Sequence, residues 1–323
     1  MLCILNSCTE PYFNLAAEEY VLKHFNDDIF MLWRNEPAVI IGKNQNAVAE
    51  INIEFVKENQ IKVVRRQTGG GAVFHDLGNV NYTFIAPKDS GNFQTFSEPI
   101  LMVLNKLGVN AKFEGRNDLT IDGRKFSGNA QCIHQNRILH HGTLLFSSKM
   151  EDLSAALRVN PLKFQDKAVK SVRKRVTNIS EHLPCPMSVI DFINTVMKEV
   201  SATIPHAEPY SFSEIDVQNI NQLKAEKYET WEWNFGSSPK FDFGKQIRTQ
   251  GGNVEVALSV EYGRISNIRI YGDFFFRKDI SSLEQLLINQ EYKQENIQQL
   301  LTTINLDDYL CNVSDEEFIR LMF

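Results

Sequence analysis

The chain has 323 residues, of which 43% are hydrophobic and 23% are charged, and its formal net charge at pH 7 is −6. This usage is that of an ordinary globular protein and excludes collagen-like, low-complexity and disordered classes. Single hydrophobic cores stop growing at about 250 to 300 residues, so the length predicts two domains. The negative charge disfavours a nucleic-acid footprint over the whole surface and is compatible with a local basic site.

Neither a membrane span nor a secretion signal is indicated. No apolar run approaches the roughly 20 residues that a transmembrane helix needs, and the N-terminus lacks a basic segment followed by an apolar one. The five cysteines are scattered without a C-x-x-C pair, which argues against a disulfide framework and against a zinc site. We therefore expect a cytoplasmic protein with reduced thiols.

Helical and strand patterns alternate from the N-terminus, which predicts a mixed α/β fold. Asn14 precedes an apolar periodic stretch and is a capping residue, so a helix is expected to begin there. Asp122 and Gly123 both tolerate φ > 0 and predict a tight hairpin. Helices are expected over residues 14–25, 53–59, 95–107 and 189–200, and strands over 30–33, 38–41, 61–66, 80–86, 118–121, 124–132 and 138–146.

The composition changes near residues 240–250, where an aromatic stretch ends in the polar sequence KQIRTQGG. Beyond it, residues 254–260 and 265–271 alternate around a turn, and short helical patterns follow over 283–288, 297–301 and 316–322. Ser314 and Glu317 form a capping box for the last helix. We expect a first domain over residues 1–245 and a small α+β domain over 246–323.

Residues 65–75 read RRQTGGGAVFH, and the triple glycine is the most informative feature of the chain. Each ordered glycine costs backbone entropy, which indicates positive φ or a close backbone approach. Backbone N–H groups of such a loop can surround an anion, with Arg65 and Arg66 as countercharge and bidentate donors. The patterns of a Walker loop and of the dinucleotide fingerprint are absent. The stretch predicts a phosphate or carboxylate site, with a flexible hinge beside surface arginines as the alternative.

A second candidate set lies on the strand that follows the predicted hairpin turn. Alternation places Lys125, Ser127 and Asn129 on one face, at intervals of about 7 Å. The Lys125 ammonium can neutralise a carboxylate that attacks phosphorus, and the alternative is an exposed lysine on an edge strand. Asp118, on the facing strand, is either an oxygen ligand for Mg²⁺ or a turn residue.

His140 and His141 are adjacent on a predicted strand and therefore face opposite ways. One of them is expected to line a pocket while the other is structural or exposed. Residues 167–175 read KAVKSVRKR, with five basic residues in nine. The run is either a solvated face or, next to an anion site, a mobile basic lid over a nucleotide.

The chain resembles the bacterial lipoate–protein ligase A family in five motifs that keep their order and spacing: RRQTGGGAVFHDLGNVNYTF, GRNDLTIDGRKFSGNAQ, HHGTLLF, KSVRKRVTNIS and YETWEWNFGSSPKF. The resemblance covers nearly the whole chain. It implies a biotin/lipoate-ligase-like catalytic domain of the α/β class, with a mixed sheet, and a small α+β C-terminal accessory domain. It also implies that ATP and lipoate form lipoyl-AMP and pyrophosphate, after which a carrier lysine displaces AMP.

The resemblance further implies roles for single residues. Lys125 matches the catalytic family lysine that contacts both the lipoate carboxyl group and the α-phosphate. The implied contacts to ATP or the adenylate are Arg66, Gly71, Ala72, Val73, Phe74, Lys125, Lys170, Arg173 and Val176. The implied contacts to lipoate are Arg66, Thr68, Gly69, Gly70, Lys125 and His141, and the candidate ligand for Mg²⁺ is Asp118. The apolar strands over 30–33 and 38–41 are expected to wall the pocket for the acyl chain.

The implied partners are lipoyl domains of 2-oxoacid dehydrogenase complexes and the glycine cleavage H protein, with ATP, Mg²⁺ and lipoate as small molecules. We expect a monomer that binds neither nucleic acid nor membrane. Three alternatives stay open: an octanoyl or lipoyl transferase of the same fold that uses Cys132 as a thioester nucleophile, a biotin ligase, and a non-catalytic protein that binds lipoyl domains.

Overall fold

The computed structural model describes residues 1–45, 47–149, 156–157, 176–235, 243–261 and 263–323. The basic run 167–175 lies outside these ranges, and with it two of the implied nucleotide contacts, Lys170 and Arg173. Across the described residues, the helices are all too short or too polar to cross a membrane.

Strands and helices alternate along the described chain. The strands are β1 (Leu2–Leu5), β2 (Ile29–Trp33), β3 (Ala38–Ile41), β4 (Lys62–Arg65), β5 (Val73–His75), β6 (Asn79–Pro87), β7 (Ala111–Glu114), β8 (Asp118–Ile121), β9 (Arg124–His134), β10 (Arg137–Leu145), β11 (Glu208–Tyr210), β12 (Phe243–Thr249), β13 (Gly252–Glu261) and β14 (Arg264–Gly272). The α-helices are α1 (Pro11–His24), α2 (Ala47–Glu50), α3 (Ile53–Glu58), α4 (Phe93–Lys106), α5 (Val189–Thr203), α6 (Glu214–Leu223), α7 (Trp231–Asn234), α8 (Ile280–Leu287), α9 (Gln294–Leu301) and α10 (Asp315–Met322). This mixed architecture confirms the predicted α/β class.

An eight-stranded mixed sheet, in the order β11-β1-β2-β6-β10-β9-β8-β7, forms the centre of the first unit. β1 pairs in parallel with β11 and β2, whereas the other neighbours are antiparallel. A parallel pair needs a crossover connection, which α1 supplies between β1 and β2. A second, smaller sheet has the order β4-β3-β5.

Apolar clusters join these layers. One face of the large sheet packs on α4 and α5, with Phe84 and Val196 in the shared cluster. The other face packs on α1 and on the second sheet, with Met31 and Ile40 in the shared cluster. The second sheet buries its outer face against α3. Each aliphatic or aromatic side chain buried in this way stabilises the fold by about 1.5 to 3 kcal/mol.

The C-terminal unit has an apolar core of its own. β12, β13 and β14 form an antiparallel sheet that packs on α8, α9 and α10, with Leu258 and Leu283 in its centre. The second hairpin and the capping box of Ser314 and Glu317 are confirmed. The predicted domain limit at residues 245/246 falls within β12, so a unit that keeps this strand whole begins at or before Phe243.

The first helix begins at Pro11 and not at the predicted Asn14. Glu10 caps it, because its carboxylate accepts hydrogen bonds from the backbone N–H groups of Tyr12 (3.3 Å) and Phe13 (2.7 Å). Proline suits the first turn, where its missing N–H would have no partner. Asn14 lies inside the helix, fully buried, and its amide contacts the loop that follows β2.

The hairpin between β8 and β9 follows the prediction at its turn, since Asp122 and Gly123 have φ values of 50° and 72°. Beyond the turn, the register shifts between Leu119 and Thr120 and leaves one extra residue in β9. Such a β-bulge changes the direction in which the following side chains point.

This bulge overturns the expectation that Lys125, Ser127 and Asn129 share a face. The extra residue is Phe126, which is fully buried in the core cluster of the large sheet. Tyr82 belongs to the same cluster as Phe126. Its hydroxyl group and Ser127 Oγ both contact the Asn129 amide, so Ser127 and Asn129 face this cluster. Lys125 lies on the face of β9 that Gly128 shares, since a Cβ atom on Gly128 would lie 3.0 Å from Lys125 Nζ, and it lines a cavity that Asn129 also borders.

The C-terminal unit contacts the triple glycine of the first unit. The N–H group of Gly70 donates to the carbonyl oxygen of Phe274 (3.4 Å), and a Cβ atom on Gly69 would lie 2.4 Å from that oxygen. The guanidinium of Arg116 lies 4.4 Å from the centre of the Phe275 ring. The two units therefore meet at the loop that the sequence singles out.

We predict that Gly69→Ala lowers the free energy of unfolding by about 1 to 3 kcal/mol, because the added methyl group overlaps the Phe274 carbonyl. Gly71→Ala is the matched control, since the nearest atom to its Cβ is an oxygen of Asp273 at 4.0 Å. Denaturant unfolding of both variants measures the difference. Equal destabilisation would mean that close backbone packing is not what requires glycine at position 69.

Candidate active site

A cavity of about 170 Å³ lies between the large sheet, the second sheet and the triple-glycine loop. The predicted site residues that line it are Arg66, Gly70, Gly71, Ala72, Val73, Lys125 and His141. Trp33 and Ile40 also line it, from the two strands that the sequence suggests as its walls. Further lining comes from Leu15, His75 and Asn81, which the motifs do not single out as site residues.

The other described site candidates lie next to this lining. Thr68 is hydrogen-bonded to both Arg66 and His141. Gly69 packs against the C-terminal unit, and Phe74 is buried in the apolar cluster between β5 and α3.

Arg66 is buried, and its guanidinium binds the inner side of the glycine loop. Nη2 donates to the carbonyl oxygens of Gly69 (2.7 Å) and Gly71 (2.9 Å). Nη1 donates to the carbonyl oxygen of Ile40 (3.1 Å), and Nε donates to Thr68 Oγ1 (2.9 Å). These bonds use four of the five N–H groups of a guanidinium. Burial lowers the pKa of Arg66 to about 10, so the side chain stays positively charged at neutral pH.

Arg65 points away from the cavity, and the expectation that it offers bidentate donors to an anion is wrong. Its guanidinium joins two loops by donating to the backbone oxygens of Gly42, Lys43, Gln45, Trp233 and Asn234. These carbonyl groups occupy the donors that an anion would need. Burial lowers the pKa of Arg65 to about 10.

A hydrogen-bonded chain connects Glu18 to Arg66 beside the cavity. The Glu18 carboxylate lies 2.9 Å from His141 Nδ1, and His141 Nε2 lies 2.8 Å from Thr68 Oγ1, which accepts from Arg66. Glu18 is only 3% exposed, so the positive charge of Arg66 compensates a buried carboxylate. The motifs do not point to Glu18; the available signal is an acidic residue among the apolar residues of α1.

Lys125 lies at one end of the cavity, where its side chain is 41% exposed and its Nζ lies 2.7 Å from Asp118 Oδ1. Its backbone forms an isolated bridge with Val176, and its carbonyl oxygen accepts from Thr177 N (3.0 Å). The structure therefore brings three predicted site residues, Lys125, Asp118 and Val176, together. We call this end of the cavity the open end.

The strand order sets the length of the cavity. Trp33 pairs with Asn81, Asn81 pairs with Thr143, and Thr143 Oγ1 accepts from the N–H group of Gly128 (3.2 Å). All four residues line the cavity. Neighbouring strands are about 4.8 Å apart, so three spacings separate the two ends by about 14 Å. Trp33 is 3% exposed, and we call its end the closed end.

Two reactive side chains near the site face elsewhere. The His140 ring stacks on Phe96 with centroids 5.3 Å apart, and burial lowers its pKa to about 3. Because His141 lines the cavity, the expectation that the two histidines face opposite ways is confirmed. Burial raises the pKa of Cys132 to about 12, so this residue is a neutral thiol and a poor nucleophile at neutral pH.

Two family models match the sequence. The lipoyl protein ligase A/B catalytic domain matches residues 10–201, and the bacterial lipoate protein ligase C-terminus matches residues 238–322. Among curated relatives, lipoate-protein ligase LplJ of Bacillus subtilis is 42% identical over 332 aligned residues, which cover 100% of both chains.

Solved structures of similar proteins have the same fold. The P. falciparum LipL1 structure in complex with lipoate has a TM-score of 0.80 at 27% identity and covers 99% of this chain and 97% of its own. A bi-partite lipoate protein ligase from Thermoplasma acidophilum, described with its E2 lipoyl domain, has a TM-score of 0.65 at 31% identity, covering 75% and 98%. Lipoate-protein ligase A bound with ATP has a TM-score of 0.63 at 27% identity, covering 72% and 98%.

These matches extend over both units and confirm the resemblance that the motifs indicate. The match to the Bacillus subtilis relative at 42% identity covers 100% of this chain, so no part of the chain lies outside it. The chain therefore belongs to the lipoate–protein ligase family.

Proposed function

We propose that the chain activates lipoate with ATP and transfers the lipoyl group to a lysine of a carrier protein. The observation that carries this proposal is the cavity, which combines a cation at its open end with apolar walls along its length. A carboxylate on an acyl chain matches both features. Membership of the family and similarity to structures that contain lipoate and ATP support the proposal.

In the activation step, a carboxylate oxygen of lipoate attacks the α-phosphorus of ATP and the bond to the β-phosphate oxygen breaks, so that pyrophosphate leaves. The Lys125 ammonium would neutralise the attacking carboxylate and the charge that develops on the α-phosphate. This chemistry requires positioning and positive charge and does not require a covalent nucleophile of the enzyme.

The other predicted contacts are part of this proposal. Nucleotide contacts are assigned to Arg66, Gly71, Ala72, Val73, Phe74 and Val176, and lipoate contacts to Arg66, Thr68, Gly69, Gly70 and His141. Arg66 would act mainly through the loop, because most of its donors bind the loop carbonyl oxygens. Leu15, Trp33 and Ile40 would contact the apolar part of the acyl chain.

Asp118 is proposed as a ligand for Mg²⁺. It provides a carboxylate beside Lys125, and among the described residues no group of three or more His, Cys, Asp and Glu side chains could hold a metal ion. This donor set fits Mg²⁺, which binds one or two carboxylates together with substrate phosphates. Mg²⁺ held there would neutralise negative charge on the phosphates.

In the transfer step, the ε-amine of a carrier lysine attacks the carbonyl carbon of lipoyl-AMP, AMP leaves, and an amide forms. The proposed carriers are the lipoyl domains of 2-oxoacid dehydrogenase complexes and the glycine cleavage H protein. The similarity to a ligase described with its E2 lipoyl domain supports this class of partner. We also propose that the protein is a monomer and that it works in the cytoplasm, where ATP is available.

Lipoate-dependent exchange of labelled pyrophosphate into ATP tests the activation step. The exchange is expected with lipoate and absent without an acid. Failure to exchange with both lipoate and octanoate would contradict the proposed function.

We predict that Lys125→Ala lowers the rate of pyrophosphate exchange by at least about 100-fold, because it removes the ammonium that would neutralise the attacking carboxylate and the charge that develops on the α-phosphate. Lys112→Ala, which removes an exposed lysine of the edge strand β7, two strands from β9, is the matched control and should exchange at the wild-type rate. Melting temperatures of both variants verify folding. A folded Lys125→Ala enzyme with full exchange would remove Lys125 from the mechanism.

Removal of the Cys132 thiol separates the ligase from a thioester-forming transferase. We predict that Cys132→Ala keeps acyl transfer to a lipoyl domain within about twofold of wild type, because a buried thiol of raised pKa does not form the required thiolate. Turnover with lipoate, ATP and the carrier measures the effect. Loss of transfer in a folded variant would favour the thioester mechanism.

A further inference from the structure

Two buried polar atoms at the cavity lack a hydrogen-bond partner. Within the described part of the chain, His75 Nε2 and Asn81 Nδ2 are buried and have no hydrogen-bond partner. Both residues line the cavity. A buried donor without an acceptor costs about 1 to 3 kcal/mol. Two such donors at one cavity point to an acceptor that arrives with the ligand.

The neighbours of His75 determine which of its nitrogens carries hydrogen. Asn14 Nδ2 donates to the backbone oxygens of Cys8 and Arg34, both at 2.9 Å, which fixes the orientation of its amide. Asn35 must therefore present its oxygen to Asn14 (2.8 Å) and its Nδ2 to His75 Nδ1 (3.1 Å). Burial lowers the pKa of His75 to about 3, so the ring is neutral and its one hydrogen lies on Nε2.

Both donors belong to the closed end of the cavity. Asn81 is the cross-strand partner of Trp33, and the His75 ring lies edge-on to the Trp33 ring with centroids 6.2 Å apart. Lys125 lies on β9 at the opposite end, two strand spacings of about 4.8 Å each from Asn81 on β6 and three from Trp33 on β2. A carboxylate placed at Lys125 thus directs the far end of its acyl chain toward His75 and Asn81.

We propose that His75 and Asn81 select lipoate over a plain fatty acid by donating hydrogen bonds to the sulfur atoms of the dithiolane ring. Divalent sulfur is a weak acceptor, whereas octanoate ends in methylene and methyl groups and would leave both donors unpaired. A site with buried polar groups discriminates against an analogue that lacks the matching atoms. The inference rests on the proposed function, since it assigns a substrate preference to the same cavity.

The test compares lipoate, octanoate and 5-cyclopentylpentanoate, which has the ring of lipoate without its sulfur atoms. We measure kcat/KM for pyrophosphate exchange with full-length wild-type enzyme, His75→Phe and Asn81→Leu. Wild type is expected to prefer lipoate over the cyclopentyl acid, and each variant to reduce this preference about 3- to 10-fold. The change should appear in KM for lipoate, because the contact is far from phosphorus and equal in the ground and transition states.

His140→Phe is the matched control. It removes a second buried neutral imidazole that stacks on Phe96 and faces away from the cavity. Its lipoate preference should equal that of wild type. Melting temperatures show whether each variant folds, and the wild-type comparison of the three acids does not depend on any variant.

The outcomes are distinguishable. Equal kcat/KM values of the wild-type enzyme for the cyclopentyl acid and for lipoate would overturn the selection by sulfur. Folded variants that keep the wild-type preference for lipoate would overturn it too, since a buried water would then satisfy the donors. Equal losses with all three acids would assign His75 and Asn81 a structural role. Absence of exchange in wild type with every acid would instead contradict the proposed function.

Discussion

The buried guanidinium of Arg66 is the constraint on which the geometry of the site depends. A charge removed from water is costly unless hydrogen bonds compensate for the lost solvation, and here the backbone provides them through the carbonyl oxygens of Gly69 and Gly71. Both oxygens reach the same nitrogen because Gly70, between them, adopts a φ of 89°, which residues with a side chain rarely adopt. The triple glycine is thus explained by the arginine that it surrounds.

The outer side of the same loop is packed as closely as the inner side. A Cβ atom on Gly42 would lie 1.9 Å from the carbonyl oxygen of Gly70, and one on Gly69 would lie 2.4 Å from that of Phe274. The loop is therefore held by Arg66 from within and by the backbone of both units from outside. A loop with so little freedom keeps its peptide groups oriented before a ligand binds, which lowers the reorganisation that catalysis would require. The C-terminal unit consequently contributes to the shape of the site, although the first unit supplies the cavity lining.

Features that depend on a few adjacent residues could be predicted from the sequence, and features that depend on distant partners could not. The turn at Asp122 and Gly123 follows from local φ preferences. In contrast, nothing adjacent to Phe126 marks it as the extra residue of a bulge, because the bulge is a property of the pairing with β8. The role of Arg65 could not be predicted either, because the backbone oxygens that accept its hydrogen bonds belong to residues 20 to 169 positions away along the chain. His141 belongs to a recognisable motif, whereas its partner Glu18 is 123 residues away.

The overall charge of −6 says little about this site, because its positive groups are paired locally. Glu18 compensates Arg66 through His141 and Thr68, and Asp118 compensates Lys125. Lys125 is therefore held in place by a carboxylate before any substrate binds. An entering carboxylate would replace one ion pair by another, so the ammonium would not need to lose its full hydration at that moment. The same exchange would favour acids over neutral ligands at the open end. The closed end is neutral and adds no electrostatic preference, so the choice between acyl chains there depends on shape and hydrogen bonding.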